Sequence, residues 1–307
     1  MPQVVVVPLD QSDVAESALP VAQTLANQLG ARLHLVSVLE VAAGRGEAFY
    51  AQNEPWKTSY QEIETYLAEK ASAIETVPVT TEILIALDPA YAIHSVLKTI
   101  DDPLLVLSTH GRSGFKRLVL GSTTTRIMQF ANYPLVVVPA RSEDFPTEIS
   151  RILVALDGST FAEHALQVAL NLFKDSTPSI CLIHVLSLHG SRAWQAFHDP
   201  TLSPLRDAAE GYLEGLASGL KGSDADIDWE VHRSADVAES LVERAARSGV
   251  DLIVMATHGR TGIVRAITGS VADGVLRGAR KPILLIRPPD EVVAIAPESA
   301  GRSTDTN

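Results

Sequence analysis

Ser108-Thr-His-Gly-Arg-Ser-Gly-Phe-Lys-Arg-Leu-Val-Leu-Gly-Ser-Thr123 is the stretch on which the reading of this chain turns. It follows the apolar run Leu104–Leu107 and leads into a helical pattern that ends near Asn132. A strand, a glycine-rich loop and a helix start form an arrangement that binds phosphate. Glycines let the backbone approach an anion, and the first helical amides point at it with the helix dipole behind them. The same pattern returns as Ala256-Thr-His-Gly-Arg-Thr-Gly-Ile-Val-Arg-Ala-Ile-Thr-Gly-Ser-Val271. Two such loops imply a duplicated domain.

The flanking sequence carries the duplication through. Residues 4–9 are apolar without alternation and read as a buried strand. Ser12 can cap the helix that follows to about Gln28, and Pro20 should kink it or shorten its first half. Leu33–Leu39 reads as a strand, 40–57 as a loop carrying Trp56, and Ser59–Thr76 as a helix. Thr80–Ala86 is then a strand, Ala90–Ile100 a helix, Leu104–Leu107 a strand, Gly121–Asn132 a helix and Pro134–Pro139 a strand. Strands alternating with such helices predict right-handed crossovers and a parallel sheet. After a linker at 142–150 the pattern restarts at Arg151 in nearly constant register. Asp10 to Asp157 and Val38 to Val185 are each 147 positions; Gly111 to Gly259 and Pro134 to Pro282 are each 148. The chain therefore reads as domains at 1–141 and 151–288, with a small polar tail at 289–307 expected to be disordered.

Composition sets bounds on this. With 46% apolar and 20% charged residues, 307 residues can bury two cores. A formal charge of −12 argues against broad nucleic-acid binding, which needs a basic face. No apolar run approaches the roughly 18 residues of a membrane helix, and the N-terminus lacks the basic start of a signal peptide. Cys181, the one cysteine, lies in an apolar run, reads as a buried thiol, and fits a reducing cytoplasm. No cluster of metal ligands stands out.

In a doubly wound sheet, ligands sit outside the carboxyl ends of the strands where the strand order reverses. Three repeated features would converge there: Asp10 and Asp157 after strand one, Val38 and Val185 at the end of strand two, and the loop after strand four. That loop supplies Ser108, Gly111, Arg112, Gly121, Ser122 and Thr123 in the first half. In the second it supplies Ala256, Gly259, Arg260, Gly269, Ser270 and Val271. Lys116, Arg117 and Arg265 add positive charge. The aspartates are poor phosphate partners, but they can accept bonds from ribose hydroxyls or an adenine amino group; they can also serve only as helix-entry residues. His110 and His258 have no evident nucleophile or carboxylate beside them and read as structural donors. Trp56 and Trp194 occupy comparable loops and read as packing, and His184 reads as a core residue.

On the repeated aspartate and the sixteen-residue loop, the chain resembles the universal stress proteins in their tandem two-domain form, from Val4 to Arg287. In the ATP-binding branch of that family the loop reads Gly-x2-Gly-x9-Gly-Ser/Thr. Both halves keep the second and third glycines and the Ser, and depart at the first, which is Ser108 or Ala256. The resemblance implies an α/β fold of two tandem doubly wound five-stranded parallel sheets, order 3-2-1-4-5, Rossmann-like and close to the adenine nucleotide alpha hydrolases. It implies ATP, with magnesium held only through the phosphates. Adenine would lie near Asp10 and the Val38 backbone, ribose near Gly111, and phosphates on Gly121, Ser122 and Thr123. The second site would use Asp157, Val185, Gly259, Gly269, Ser270 and Val271. It also implies pairing through strand five, here as an intrachain pseudo-dimer, with a homodimer as the other arrangement. The expected function is a cytoplasmic, ATP-binding, non-catalytic regulatory module answering to an unknown protein partner. A scaffold of the same fold that binds no nucleotide is the alternative, and a weak ATP hydrolase stands behind both. No Gly-x4-Gly-Lys-Ser/Thr loop is present, nor Gly-x-Gly-x2-Gly after the first strand, nor the His-x-Gly-His signature of related adenylyl transferases.

Overall fold

A computed structural model describes residues 2–42, 54–109, 121–130, 132–140, 145–187, 203–220, 226–257 and 269–287. The N-terminal half contributes strands β1 (Val4–Pro8), β2 (Arg32–Glu40), β3 (Val79–Ala86), β4 (Leu104–Ser108) and β5 (Leu135–Val138). Its helices are α1 (Asp13–Glu16), α2 (Leu19–Leu29), α3 (Glu54–Ser72), α4 (Pro89–Leu97) and α5 (Ser122–Phe130). The C-terminal half repeats the order with β6 (Arg151–Leu156), β7 (Ser179–Ser187), β8 (Ile227–Ser234), β9 (Leu252–Ala256) and β10 (Ile283–Ile286). Its helices are α6 (Thr160–Leu172), α7 (Ser203–Gly219), α8 (Val237–Arg247) and α9 (Ser270–Gly278).

Each half is parallel in the order expected, β3-β2-β1-β4-β5 and β8-β7-β6-β9-β10. The two are joined into one ten-stranded sheet, because β5 and β10 pair antiparallel with Val136 opposite Leu284. The central strands are buried on both faces. Val5 and Val7 face α2 and α3, Val4 and Val6 face α4 and α5, and all four are at most 2% exposed. That explains why β1 is apolar without alternation. At about 1.5–3 kcal/mol per buried aliphatic side chain, these two layers dominate the stability of the fold. Cys181 on β7 is buried at 2% exposure, in the layer under α8 and α9.

One helix breaks at the proline, as its sequence predicts, and another differs from its reading. The helix after β1 is two pieces, with Pro20 in the first turn of α2, the one place where a missing N–H and a fixed φ cost little. Trp56 lies in the first turns of α3 rather than in a loop. The helix begins at Glu54, and a first-turn Pro55 suits that start for the same reason. Among the described residues no helix is long and apolar enough to cross a membrane.

The halves are also tied through the linker. Gln28 Nε2 donates to the Ile149 carbonyl at 2.9 Å, and the Ile149 N–H donates back to Gln28 Oε1 at 2.9 Å. Thr24 Oγ1 donates to the Pro146 carbonyl at 2.7 Å.

Candidate functional site

Strand order reverses between β1 and β4, and again between β6 and β9. Each reversal leaves a crevice at the strands' carboxyl ends, and each crevice is a cavity.

The wall after the first strand is built identically in both halves. The Ser12 N–H donates to Asp10 Oδ1 at 3.1 Å, and the Ser12 hydroxyl donates to the same oxygen while accepting from the Ala15 N–H at 3.1 Å. In the second half the Ser159 N–H donates to Asp157 Oδ1 at 3.0 Å, and the Ser159 hydroxyl accepts from Ala162 at 3.2 Å. Ser12 and Ser159 are thus the helix caps, and each aspartate holds its cap in place. The turn requires a left-handed residue between them, which is Gln11 at φ 62° in one half and Gly158 at φ 82° in the other. Both aspartates also line their cavities, so the helix-entry role and a place at the site coincide.

The opposite wall is the start of the last helix in each half. In the C-terminal half, Gly269 precedes α9 without any side-chain cap bond, and Gly269, Ser270, Val271 and Ala272 all line the cavity. The first amides of α9 have no partner within the helix, and the positive end of its dipole faces the crevice. In the N-terminal half Thr123 and Thr124 line the cavity, while Gly121 and Ser122 stand just before them at the start of α5.

The positions of the absent first glycine are now explicit. Ser108 ends β4 and Ala256 ends β9, both in extended strand. Neither has positive φ, so the backbone there does not require glycine, contrary to what a glycine in the motif implies. Both line their cavities, with Val38 and Val185 on the floor beside them. Of the expected site residues, the structure brings together Asp10, Val38, Ser108 and Thr123, and separately Asp157, Val185, Ala256, Gly269, Ser270 and Val271. Gly111, Arg112, Gly259 and Arg260 lie outside the described residues, as do His110, His258, Lys116, Arg117, Arg265, Trp194 and the tail.

Some lining residues escape a reading of the sequence. His184, expected in the core, lines the second cavity from the carboxyl-terminal part of β7 while its ring packs against Tyr212 of α7. Asp236, the cap of α8, and the 57%-exposed Leu205 of α7 line it too. A signal for Asp236 was available: Asp88 and Asp236 stand 148 positions apart and cap equivalent helices. Among the described lining residues neither cavity carries a Lys or Arg. Helix amides are the anion-attracting groups there.

The model of the universal stress protein family matches this chain twice, over residues 1–139 and 148–287. A universal stress protein of Mycolicibacterium smegmatis is 27% identical over 209 residues, covering 63% of this chain and 66% of that one. One of Mycobacterium tuberculosis is 27% identical over 188 residues, 60% of this chain and 61% of that one. The chain thus spans less than two thirds of the length of these relatives. In structure it is similar to a universal stress protein of Archaeoglobus fulgidus, with a TM-score of 0.66 at 16% identity over 93% of this chain and 98% of that one. A protein of Pseudomonas aeruginosa gives 0.62 at 17% identity over 95% of each chain. At those identities the two structures share the fold. With both halves matched by the family model, this chain belongs to the universal stress protein family and carries its domain twice.

Proposed function

We propose that this protein binds an adenine nucleotide, ATP with magnesium held through its phosphates, at the strand ends of at least one half, and that the bound state regulates its association with another protein. One observation carries the reading. A cavity of about 760 Å3 opens at the reversal between β6 and β9, with the uncapped start of α9 on one wall and Asp157 on the other. That volume lies in the range of small-molecule pockets. Its lining is mostly aliphatic, which suits a purine. The α9 amides suit a phosphate, and Asp157 and Asp236 suit ribose hydroxyls or an exocyclic amine. Arg260 and Arg265 stand in the sequence between β9 and α9 and would add charge beside the phosphates. In this reading the protein works in the cytoplasm as a binding module with no turnover.

The scaffold reading is favoured by one fact: Asp10 and Asp157 each already use Oδ1 to hold a helix cap. Mass spectrometry of small molecules released by denaturing the purified chain separates the two. Release of ATP, ADP or AMP in stoichiometric amount supports the nucleotide reading. No release, followed by no uptake of added ATP with magnesium, supports the scaffold.

A further inference from the structure

We infer that the two halves have divided their roles: the C-terminal half alone takes the nucleotide, and the N-terminal cavity is kept small by a device that begins at Pro20. This rests on the nucleotide reading above and assigns it to one copy of the site.

The device starts from a single sequence difference. The counterpart of Pro20 is Gln167. Proline lacks an N–H, and its ring clashes with the carbonyl four residues back, so a helix does not run through it unbroken. Accordingly α1 stops at Glu16 and α2 starts at Leu19, whereas α6 runs unbroken from Thr160 to Leu172. The short α1 is then fastened across the end of β4. Ser17, its C-terminal cap, has its hydroxyl 2.9 Å from that of Ser108. Ser17 Oγ also donates to the Val14 carbonyl at 2.7 Å, and Ser108 Oγ is within 3.3 Å of the Thr109 carbonyl, so the two hydroxyls share one small network. The counterparts of this pair are His164 and Ala256, and alanine has no hydroxyl to give.

Fastened there, the α1 segment turns Ser12, Val14 and Ala15 onto the N-terminal cavity, where α6 gives only Ala162 to the other. Side-chain size acts in the same direction. Pro8, Glu40 and Thr124 line the first cavity where Ala155, Ser187 and Ala272 line the second. At the rim, Arg126 of α5 pairs with Asp88 at 2.5 Å and holds that carboxylate away from the lining. The counterpart of Arg126 is Gly274, and Asp236 lines the second cavity. The outcome is about 150 Å3 in the N-terminal half against about 760 Å3 in the C-terminal half. Pockets for drug-sized ligands run from about 300 to 1,000 Å3, a range that the second cavity reaches and the first, over its described lining, does not.

The test uses the full chain with ATP and magnesium. Native mass spectrometry counts ATP per chain, and hydrogen–deuterium exchange locates it. One ATP is expected, with slower exchange at 252–257 and 270–273 and no change at 104–109 and 122–125. Two ATP per chain, or protection in the N-terminal peptides, would overturn the inference and leave the nucleotide reading standing. No ATP at any concentration would overturn both. The double substitution Pro20→Gln with Ser108→Ala gives the closing device the residues of the second half at these two positions and should raise the count from one to two. A folded double variant that still binds one would overturn the closing device. If that variant does not fold, the wild-type exchange pattern decides alone.

Discussion

Gly274 on α9 lies so close to Ala238 on α8 that a Cβ built on the glycine would stand 2.6 Å from the Ala238 Cβ. One turn on, a Cβ at Gly278 would be 3.2 Å from Val242 Cγ2. This close approach sets α9 against α8, the two helices that bring Ser270 and Asp236 to the same cavity. Two effects oppose each other in Gly274→Ala. Helix propensity favours alanine by about 1 kcal/mol, and overpacking costs about 1–3 kcal/mol. The clash is between two Cβ atoms that cannot rotate away, so it wins. We expect a net loss of about 1–2 kcal/mol in urea denaturation, with weaker ATP binding as α9 is pushed outward. A stabilised variant would mean that the helices slide freely.

Gln28 joins the first half to the linker by two bonds to Ile149, a residue with no exposed surface. Gln28→Ala leaves both backbone groups unpaired where water is not at hand, at about 1–3 kcal/mol for a buried unsatisfied group. We expect about 2 kcal/mol lost in chemical denaturation, within that range. A change under about 0.5 kcal/mol, the level of an ordinary surface substitution, would show that the linker is not held there.

The left-handed position between cap and aspartate is filled by Gln11 in one half and Gly158 in the other. A non-glycine residue there costs about 1–2 kcal/mol. Gly158→Ala should therefore lower stability by about that amount, although nothing lies within 4 Å of the added Cβ. Gln11→Gly should be neutral or slightly stabilising, since relief of strain is offset by the greater entropy of glycine in the unfolded chain. Thermal melts of the two variants test the pair; equal losses in both would refute the assignment.

Alkaline pH should destabilise the fold. Burial, and after it Asp228 and Glu230, pushes the Cys181 thiol above its ordinary value of 9.0. Burial likewise pushes the Tyr66, Tyr133 and Tyr212 phenols above 10.0. All four are neutral acids that the native state keeps protonated. Above about pH 9 the unfolded chain begins to release these protons while the native chain does not, so stability falls as pH rises. Below about pH 8 these groups contribute no slope. Melting temperatures measured from about pH 7 to 11 should hold and then decline, and Cys181 should react with thiol reagents only on unfolding. Melting that rises through about pH 10 would contradict this.

Much of this architecture is visible before any coordinates. The apolar runs give the strands, Ser12 the first cap, Pro20 the broken helix, and the 147–148 residue offset the duplication. The aspartates and the starts of α5 and α9 follow from strand-end geometry. Other features depend on depth and contact, which periodicity does not encode. Trp56 reads as loop because a polar stretch precedes it, yet Pro55 suits a first turn. His184 reads as core because a strand's pattern does not say that a cavity opens beside a ring packed on Tyr212. The inequality of the cavities comes from one hydroxyl pair and a few side-chain volumes meeting in space, between halves whose sequences look equivalent.

Isothermal titration of the full chain with ATP and magnesium tests the central claim most directly. The account predicts saturable binding at one site per chain, lost in Gly269→Val, which places a branched side chain at the entrance to α9. Absence of binding by ATP, ADP and AMP, in a protein whose melt shows it folded, would contradict it.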